Sequence, residues 1–429
     1  MPEYMRYAII AFGSRGDVQP HIALGTRLHA VGHDVRIITH TLFEPLVSRL
    51  ELDFAPVVGD PQEIVSNASG QEWLGSGTNF LSFFQRFTTI AEPLIQQAML
   101  DCWQGCQGYD ALIYSPLAVC TAPSIAEKLA IPSWIGAGQP LTPTTAFASP
   151  FFPRFPFPFR PFSNHYNRLT YGVSARLFWQ LLRPMINKAR QETLHLPPLH
   201  RSWLYEKLSR QQFRILYYYS PSVLPQPLDW SNNNTVTGYW FLENPPDWQP
   251  PPDLLDFLAT GPPPVYVGFG SMQTGNPTLL LETVLKALEL AEQRGILLTG
   301  WGGLNSLHQA ALPDNIYKID FVPHDWLFPQ VAAVVHHGGA GTMAASLRAG
   351  VPSVMIPFFG DQPFWGRRFF AMGIIPQPIL RKHLTAEGLA KNIRLAVHDA
   401  DLRARVRALS KRIGDEDGLE EAVNIVQQH

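Results

Sequence analysis

The stretch HHGGAGTMAASLRAGVP, His336 to Pro352, decides how this chain is read. Together with the residues before it, AAVVHH is a short apolar run ending in a turn, the pattern of a buried parallel strand. GGAG supplies the turn and TMAASLRA the helix. Gly350 can end that helix and Pro352 cannot continue it. At such a junction the first N–H groups of the helix lack partners, and the helix dipole favours an anion there. Gly338, Gly339 and Gly341 carry no Cβ to keep a phosphate from the backbone, and His337 can donate a hydrogen bond to it. The same letters also describe a plain tight turn with a surface histidine, and the segment alone leaves both readings open.

Outward from this stretch the strand–helix alternation repeats. VYVGFGS, a helix over 277–294, GILLTG, YKIDFV, AAVVHH and SVMIP form a second-half βα series. In the first half, RYAIIAF (Arg6–Phe12), a helix over 21–33, DVRIITH (Asp34–His40), ALIYS and PSWIGA do the same. The expected class is α/β, with two Rossmann-like doubly wound domains around a cleft. The expected organisation is a first domain over 1–242, a Pro-rich linker over 243–264, a second domain over 265–395, and a helical segment over 396–429. Residues 163–192 read as an amphipathic helix with its apolar stripe through Tyr166, Leu169, Val173, Leu177, Leu181 and Met185. Residues 389–413 read as helical.

The totals narrow the class of function. A chain of 429 residues suits two domains. A formal net charge of −2 argues against a nucleic-acid partner. No run approaches the roughly 18 apolar residues of a membrane span, and no leader peptide is expected. Cys102, Cys106 and Cys120 read as buried thiols of a cytoplasmic protein. No carboxylate cluster suggests a metal site.

Ligands of open α/β sheets sit outside the carboxyl ends of the strands, and three further segments lie there. VGFGSMQTG offers Ser271 in a glycine turn. PFFGDQPFWG offers Asp361 and Gln362, suited to sugar hydroxyls or, equally, to capping the helix that Pro363 opens. GSRGDVQP places Asp17 after the first strand, as a candidate general base or a helix cap.

HHGGAGTMAASLRAGVPSVMIPFFGDQPFWGRR closely resembles the nucleotide-sugar signature of the UDP-glycosyltransferase superfamily. GSRGDVQPHIALGTRL resembles the N-terminal motif of its sterol glucosyltransferase and antibiotic glycosyltransferase branch. The resemblance implies the GT-B fold, with the C-terminal helix returning to the first domain. It implies that His337, Gly339, Gly341, Thr342 and Ser271 hold a diphosphate, that Asp361 and Gln362 hold the sugar, and that Phe321, Val322 and His324 lie at the base and ribose. It places Ser14, Arg15 and Gly16 beside the donor and makes Asp17 the catalytic base. Two positions depart from the plant pattern: Ala345 stands where a ribose-binding glutamate is usual, and Ser115 where a second acid orients a catalytic histidine. A carboxylate base has no tautomer to fix.

The resulting expectation is an inverting hexosyltransferase, metal-independent and without a permanently bound cofactor. It would move glucose from UDP-glucose to a hydroxyl of a lipophilic acceptor such as a sterol. Other hydrophobic acceptors (carotenoid, hopanoid, macrolide) with another nucleotide sugar, and a non-catalytic nucleotide-sugar-binding homologue, are the alternatives. The Phe/Pro-rich loop 149–162, with Arg154 and Arg160, is expected to suit the acceptor or the surface of a membrane; its aromatics would equally serve to cover the first domain's core.

Overall fold

The computed structural model describes residues 4–59, 80–155, 160–243, 248–270, 277–299 and 312–428. The chain divides into two compact units: Met1–Leu242 with Asp417–His429, and Glu243–Glu416.

The first unit is built on seven strands: β1 (Arg6–Ile10), β2 (Asp34–His40), β3 (Asp53–Val57), β4 (Ala111–Tyr114), β5 (Ser133–Ala137), β6 (Arg214–Tyr217) and β7 (Asn234–Val236). All neighbours pair in parallel, in the order β3-β2-β1-β4-β5-β6-β7. Tyr7, Ala8, Ile9 and Ile10 are all buried. A strand covered on both faces reads as an unbroken apolar run, as β1 does. The chain runs outward from β1 through β2 and β3 and then crosses back to β4, so the sheet's switch point lies between β1 and β4.

The second unit carries β8 (Val265–Gly268), β9 (Gly295–Leu298), β10 (Ile316–Ile319), β11 (Ala333–His336) and β12 (Ser353–Met355). They are again parallel, in the order β10-β9-β8-β11-β12, with the switch point between β8 and β11.

Four details differ from the reading of the sequence. The proline-rich stretch over 243–264 contains a helix, Pro252–Ala259, whose Leu254 is fully buried in the second unit's core. Prolines flank that helix and one opens it, where a missing N–H costs nothing. The helical stretch expected over 389–413 is divided into two helices, Ala386–His398 and Ala400–Gly414, because the Asp399 side chain accepts from Leu402 N and restarts the chain. The second of these belongs to the second unit, where Ser410 Oγ donates to Arg348 O at 2.8 Å. Only the last helix, Gly418–Gln427, groups with the first unit. A Cβ on its Gly418 would lie 2.4 Å from the Gly238 carbonyl. Its Ala422, Val423 and Val426 enter the first unit's core, each valine worth about 1.5–3 kcal/mol of burial.

The fourth difference concerns the long helix, which runs over Arg160–Leu194. Its buried face includes Thr170, Tyr171, Ala175, Trp179, Leu182 and Ile186, whereas Leu169 and Leu177 of the expected stripe are 56% and 45% exposed. Polar groups dock this helix: Asn167 Nδ2 donates to Thr145 O (2.8 Å) and Thr170 Oγ1 accepts from Ser149 N (2.9 Å). A periodicity of hydrophobicity places such residues outside. The three cysteines are buried and unpaired.

Candidate functional site

In the first unit the chain leaves β1 at the switch point and turns into the helix Arg15–Ala30. Three consecutive backbone N–H groups of the turn each find a side chain. Phe12 N donates to Ser115 Oγ (3.0 Å), Gly13 N to His40 Nε2 (3.3 Å) and Ser14 N to Asp17 Oδ2 (2.9 Å). Ser115 follows β4 and His40 ends β2, so the strands on either side of β1 both anchor its turn. The helical stretch itself supplies the third acceptor.

Gly13 has φ +117°, and a Cβ there would fall 2.5 Å from Asp17 Oδ2. Only glycine suits both the backbone angle and the space the carboxylate fills. Ser14 Oγ also donates to Asp17 Oδ2, at 2.9 Å. The cap reading therefore holds for Oδ2. Among the described residues Oδ1 accepts no hydrogen bond. Burial pushes the Asp17 carboxyl up from its ordinary value, against the opposing pull of Ser14. The base candidate thus has one oxygen tied to the turn and one open. Beneath it His21 is fully buried, with Nδ1 2.8 Å from Asp17 O and its pKa lowered by burial to about 4. Of the other expected residues, Ser14 is engaged with Asp17, Arg15 Nε donates to Gln19 Oε1 (3.0 Å), and Gly16 is exposed.

In the second unit the chain leaves β11 at the other switch point. His336 ends the strand fully buried, its Nδ1 accepting from Gly338 N at 3.0 Å. Gly338, at φ +95°, leaves no room for a Cβ, which would lie 2.4 Å from Met355 Cε. His337 turns back over the glycines: a Cβ on Gly339 would lie 2.6 Å from its Nε2, and one on Gly270 3.3 Å from its Cε1. The two glycine turns, after β8 and after β11, therefore meet at His337. Burial lowers the His337 pKa to about 4, so the ring is neutral at ordinary pH. Its Nδ1 is buried without a hydrogen-bond partner among the described residues.

The helix that follows, Ala340–Arg348, starts at Gly339 with no side chain of the described residues capping it. Among the described residues a Cβ on Gly341 would meet nothing within 4 Å. An open helix N-terminus beside an unpartnered imidazole nitrogen fits an anion such as a diphosphate. Thr342 is half-buried in the first turn. Ser271 lies outside the described residues.

Gln362 Cβ would pack 3.5 Å from a Cβ on Gly338, which brings the segment after β12 to the same turn. Gln362 is buried, and its Oε1 accepts from Phe358 N (2.8 Å) and Phe359 N (3.3 Å). Asp361 precedes the helix Gln362–Ala371 but makes no cap bond. Its Oδ2 instead accepts from Trp365 Nε1 at 3.0 Å. After β10, Phe321 is 47% exposed and Val322 belongs to the core. The His324 ring stacks on Phe328 (centroids 4.4 Å apart), with Nε2 3.3 Å from Tyr266 Oη. The anchoring roles of His40, Ser115 and Gln362 carry no local sequence signal, because each is defined by a partner distant in the chain or by a loop's backbone.

Residues 7–147 match the glycosyltransferase family 28 N-terminal domain, and residues 303–426 the erythromycin biosynthesis protein CIII-like C-terminal domain. The chain is 37% identical over 433 residues to a sterol 3-beta-glucosyltransferase of Emericella nidulans, covering 99% of this chain and 30% of that protein. It is 36% identical over 429 residues to a sterol 3-beta-glucosyltransferase of Arabidopsis thaliana, covering 99% of this chain and 68% of that protein. It thus spans about a third of the fungal relative's length. The solved structure of the kitacinnamycin glycotransferase superimposes with a TM-score of 0.71 at 19% identity, over 100% of this chain and 99% of that one. The shared fold is GT-B.

Proposed function

The chain belongs to the UDP-glycosyltransferase superfamily, in its sterol glucosyltransferase and antibiotic glycosyltransferase branch, and we propose that it transfers glucose from UDP-glucose to a hydroxyl of a sterol or similar lipophilic alcohol, with inversion. The observation that carries this reading is the Asp17 carboxylate, held by Oδ2 at the switch point of the first sheet with Oδ1 open. Such a group can take the proton of an acceptor hydroxyl as its oxygen attacks the anomeric carbon. The anomeric carbon–phosphate oxygen bond breaks, UDP leaves, and the proton ends on Asp17. Burial already favours the protonated carboxyl, which strengthens Asp17 as a base.

Negative charge grows on the departing diphosphate, and that is where stabilisation speeds the reaction. The groups suited to it are His337 and the N–H groups at Gly341 and Thr342, with Ser271 completing the set by resemblance. Asp361 and Gln362 are assigned to the sugar hydroxyls, Phe321 to stacking on the base, and Val322, through its backbone, and His324 to the same end of the donor. Ser14, Arg15 and Gly16 line the turn that holds the base. No permanently bound cofactor and no metal enter this scheme.

The test is UDP release from UDP-glucose with and without cholesterol, in wild type and Asp17→Asn. Release stimulated by cholesterol and lost in the variant supports the reading. Tight UDP-glucose binding with no release under a panel of sterols, carotenoids, hopanoids and macrolides favours a non-catalytic binder. Absence of UDP-glucose binding moves the donor to another nucleotide sugar.

A lipophilic acceptor resides in a membrane, and we assign the protein to the cytoplasm, peripheral on a membrane surface. Among the described residues no helix is long and apolar enough to cross one. Phe151, Phe162, Leu169 and Leu177 are 57%, 70%, 56% and 45% exposed. No Asp or Glu occurs between Glu127 and Glu192, a stretch that holds Arg154, Arg160, Arg168, Arg176 and Arg183. Exposed apolar side chains among cations without anions suit an anionic bilayer. Co-sedimentation with phosphatidylserine vesicles, weakened by Phe162→Ser with Leu169→Ser and absent with phosphatidylcholine alone, is the expected result. Equal recovery without vesicles would remove the assignment.

A further inference from the structure

We infer that His40 is a positioning residue for Asp17, acting through the Gly13 peptide. The inference rests on Asp17 being the base. His40 is the last residue of β2 and is 7% exposed. Its Nε2 accepts from Gly13 N at 3.3 Å, and its ring lies against Phe12, centroids 5.8 Å apart. Gly13 is the wall against which the carboxylate rests: Oδ2, Cγ and Cβ of Asp17 would lie 2.5, 2.9 and 3.0 Å from a Cβ built there. The carboxylate therefore goes where the Gly13 peptide lets it go.

The flanking positions are held by other means. Ser115 takes Phe12 N, and Asp17 itself takes Ser14 N. Gly13 N is the middle donor, and His40 Nε2 is the acceptor that fixes it. A glycine at φ +117° has the widest conformational freedom of any residue. Without that acceptor, the peptide bearing on the base is the one most able to rotate. A displacement of about 1 Å at a reacting group can cost about 100-fold in rate.

The experiment compares His40→Gln, which keeps an acceptor at similar reach, with His40→Asn, whose shorter side chain withdraws it, and His40→Leu, which removes it. Turnover and KM for UDP-glucose are measured with cholesterol, alongside thermal unfolding. The expected result is a kcat loss of about 10- to 100-fold in His40→Leu and His40→Asn, donor KM within about twofold, and recovery of most of kcat in His40→Gln. The Gln–Asn contrast carries the test if the leucine variant does not fold.

The same substitutions are then made in Asp17→Asn, where the His40 penalty disappears if it acts through Asp17. Undiminished kcat loss in that background overturns the inference, as do equal rates for His40→Gln and His40→Asn. Wild-type turnover by Asp17→Asn alone would instead overturn the base assignment, so the two failures are distinguishable.

Discussion

Each unit leaves a central strand at its sheet's switch point, turns through glycine and starts a helix, yet the two helix starts are used in opposite ways. After β1 the turn is closed: Asp17 folds back on Ser14, and Phe12 N and Gly13 N are taken by Ser115 and His40. After β11 the turn is open among the described residues: no side chain caps Gly339, and a Cβ on Gly341 would meet nothing within 4 Å. A carboxylate occupies one helix start. The other carries none among the described residues, and the proposed function assigns an anion to it. One architecture thus yields a carboxylate folded onto its own turn in one case and an uncapped helix start in the other, and the residue three places into the helix makes the difference: Asp17 in the first, Thr342 in the second.

The strongest way to break this contrast is Asp17→Asn. The amide oxygen can still accept from Ser14 N, so the cap survives, and the buried charge is gone. Transfer should fall about 10²- to 10⁴-fold while the thermal midpoint stays at or above that of wild type. A drop in both would mean that Asp17 serves the turn more than the chemistry.

Next in size is a pH effect beneath the closed turn. His21 is fully buried, with its pKa lowered by burial from 6.5 to about 4. The folded state binds this proton less readily than the unfolded chain. The stabilisation is therefore complete above about pH 6.5 and is lost as pH falls toward 4, a swing of about 3 kcal/mol. Unfolding midpoints measured across that range should decline less steeply in His21→Gln. Parallel profiles would remove His21 as a cause.

The open turn is tested by Gly339→Ala. Its backbone angles, φ −60° and ψ 138°, suit any residue. The added methyl, however, would sit 2.6 Å from His337 Nε2 and push the ring aside. UDP affinity by calorimetry should fall about tenfold, roughly 1.4 kcal/mol, with little change in stability. Unchanged affinity would take His337 out of the donor site.

The smallest and sharpest effect is expected at Gly341→Ala. The methyl meets no atom of the described residues, and alanine in a helix is favoured over glycine by up to about 1 kcal/mol. Stability should rise while UDP binding weakens, because a phosphate drawn up to that backbone needs the space. Tighter folding with unaltered binding would place the phosphate elsewhere.

Much of the architecture was readable because parallel strands buried on both faces leave uninterrupted apolar runs, and because glycine and proline punctuate the turns between them. β1, β4, β8 and β11 announce themselves in this way. The helix Pro252–Ala259 did not, since its prolines read as linker although they only flank and open it. Nor did the inward face of Arg160–Leu194, because Asn167 and Thr170 dock it through hydrogen bonds that a hydrophobic pattern treats as surface.

The sequence by itself determined the α/β class, the family and the chemical identity of the candidate groups, since strand periodicity, glycine placement and residue type are local properties. Only the tertiary structure decided what each group faces. It showed Oδ2 of Asp17 bound and Oδ1 open, Asp361 taken by Trp365 rather than capping its helix, and Gln362 holding the loop before it. It also joined His40 and Ser115 to a turn 27 and 103 residues away. Those facts depend on parallel pairing that sets β2 and β4 on either side of β1, and distance along the chain carries no record of which strands become neighbours.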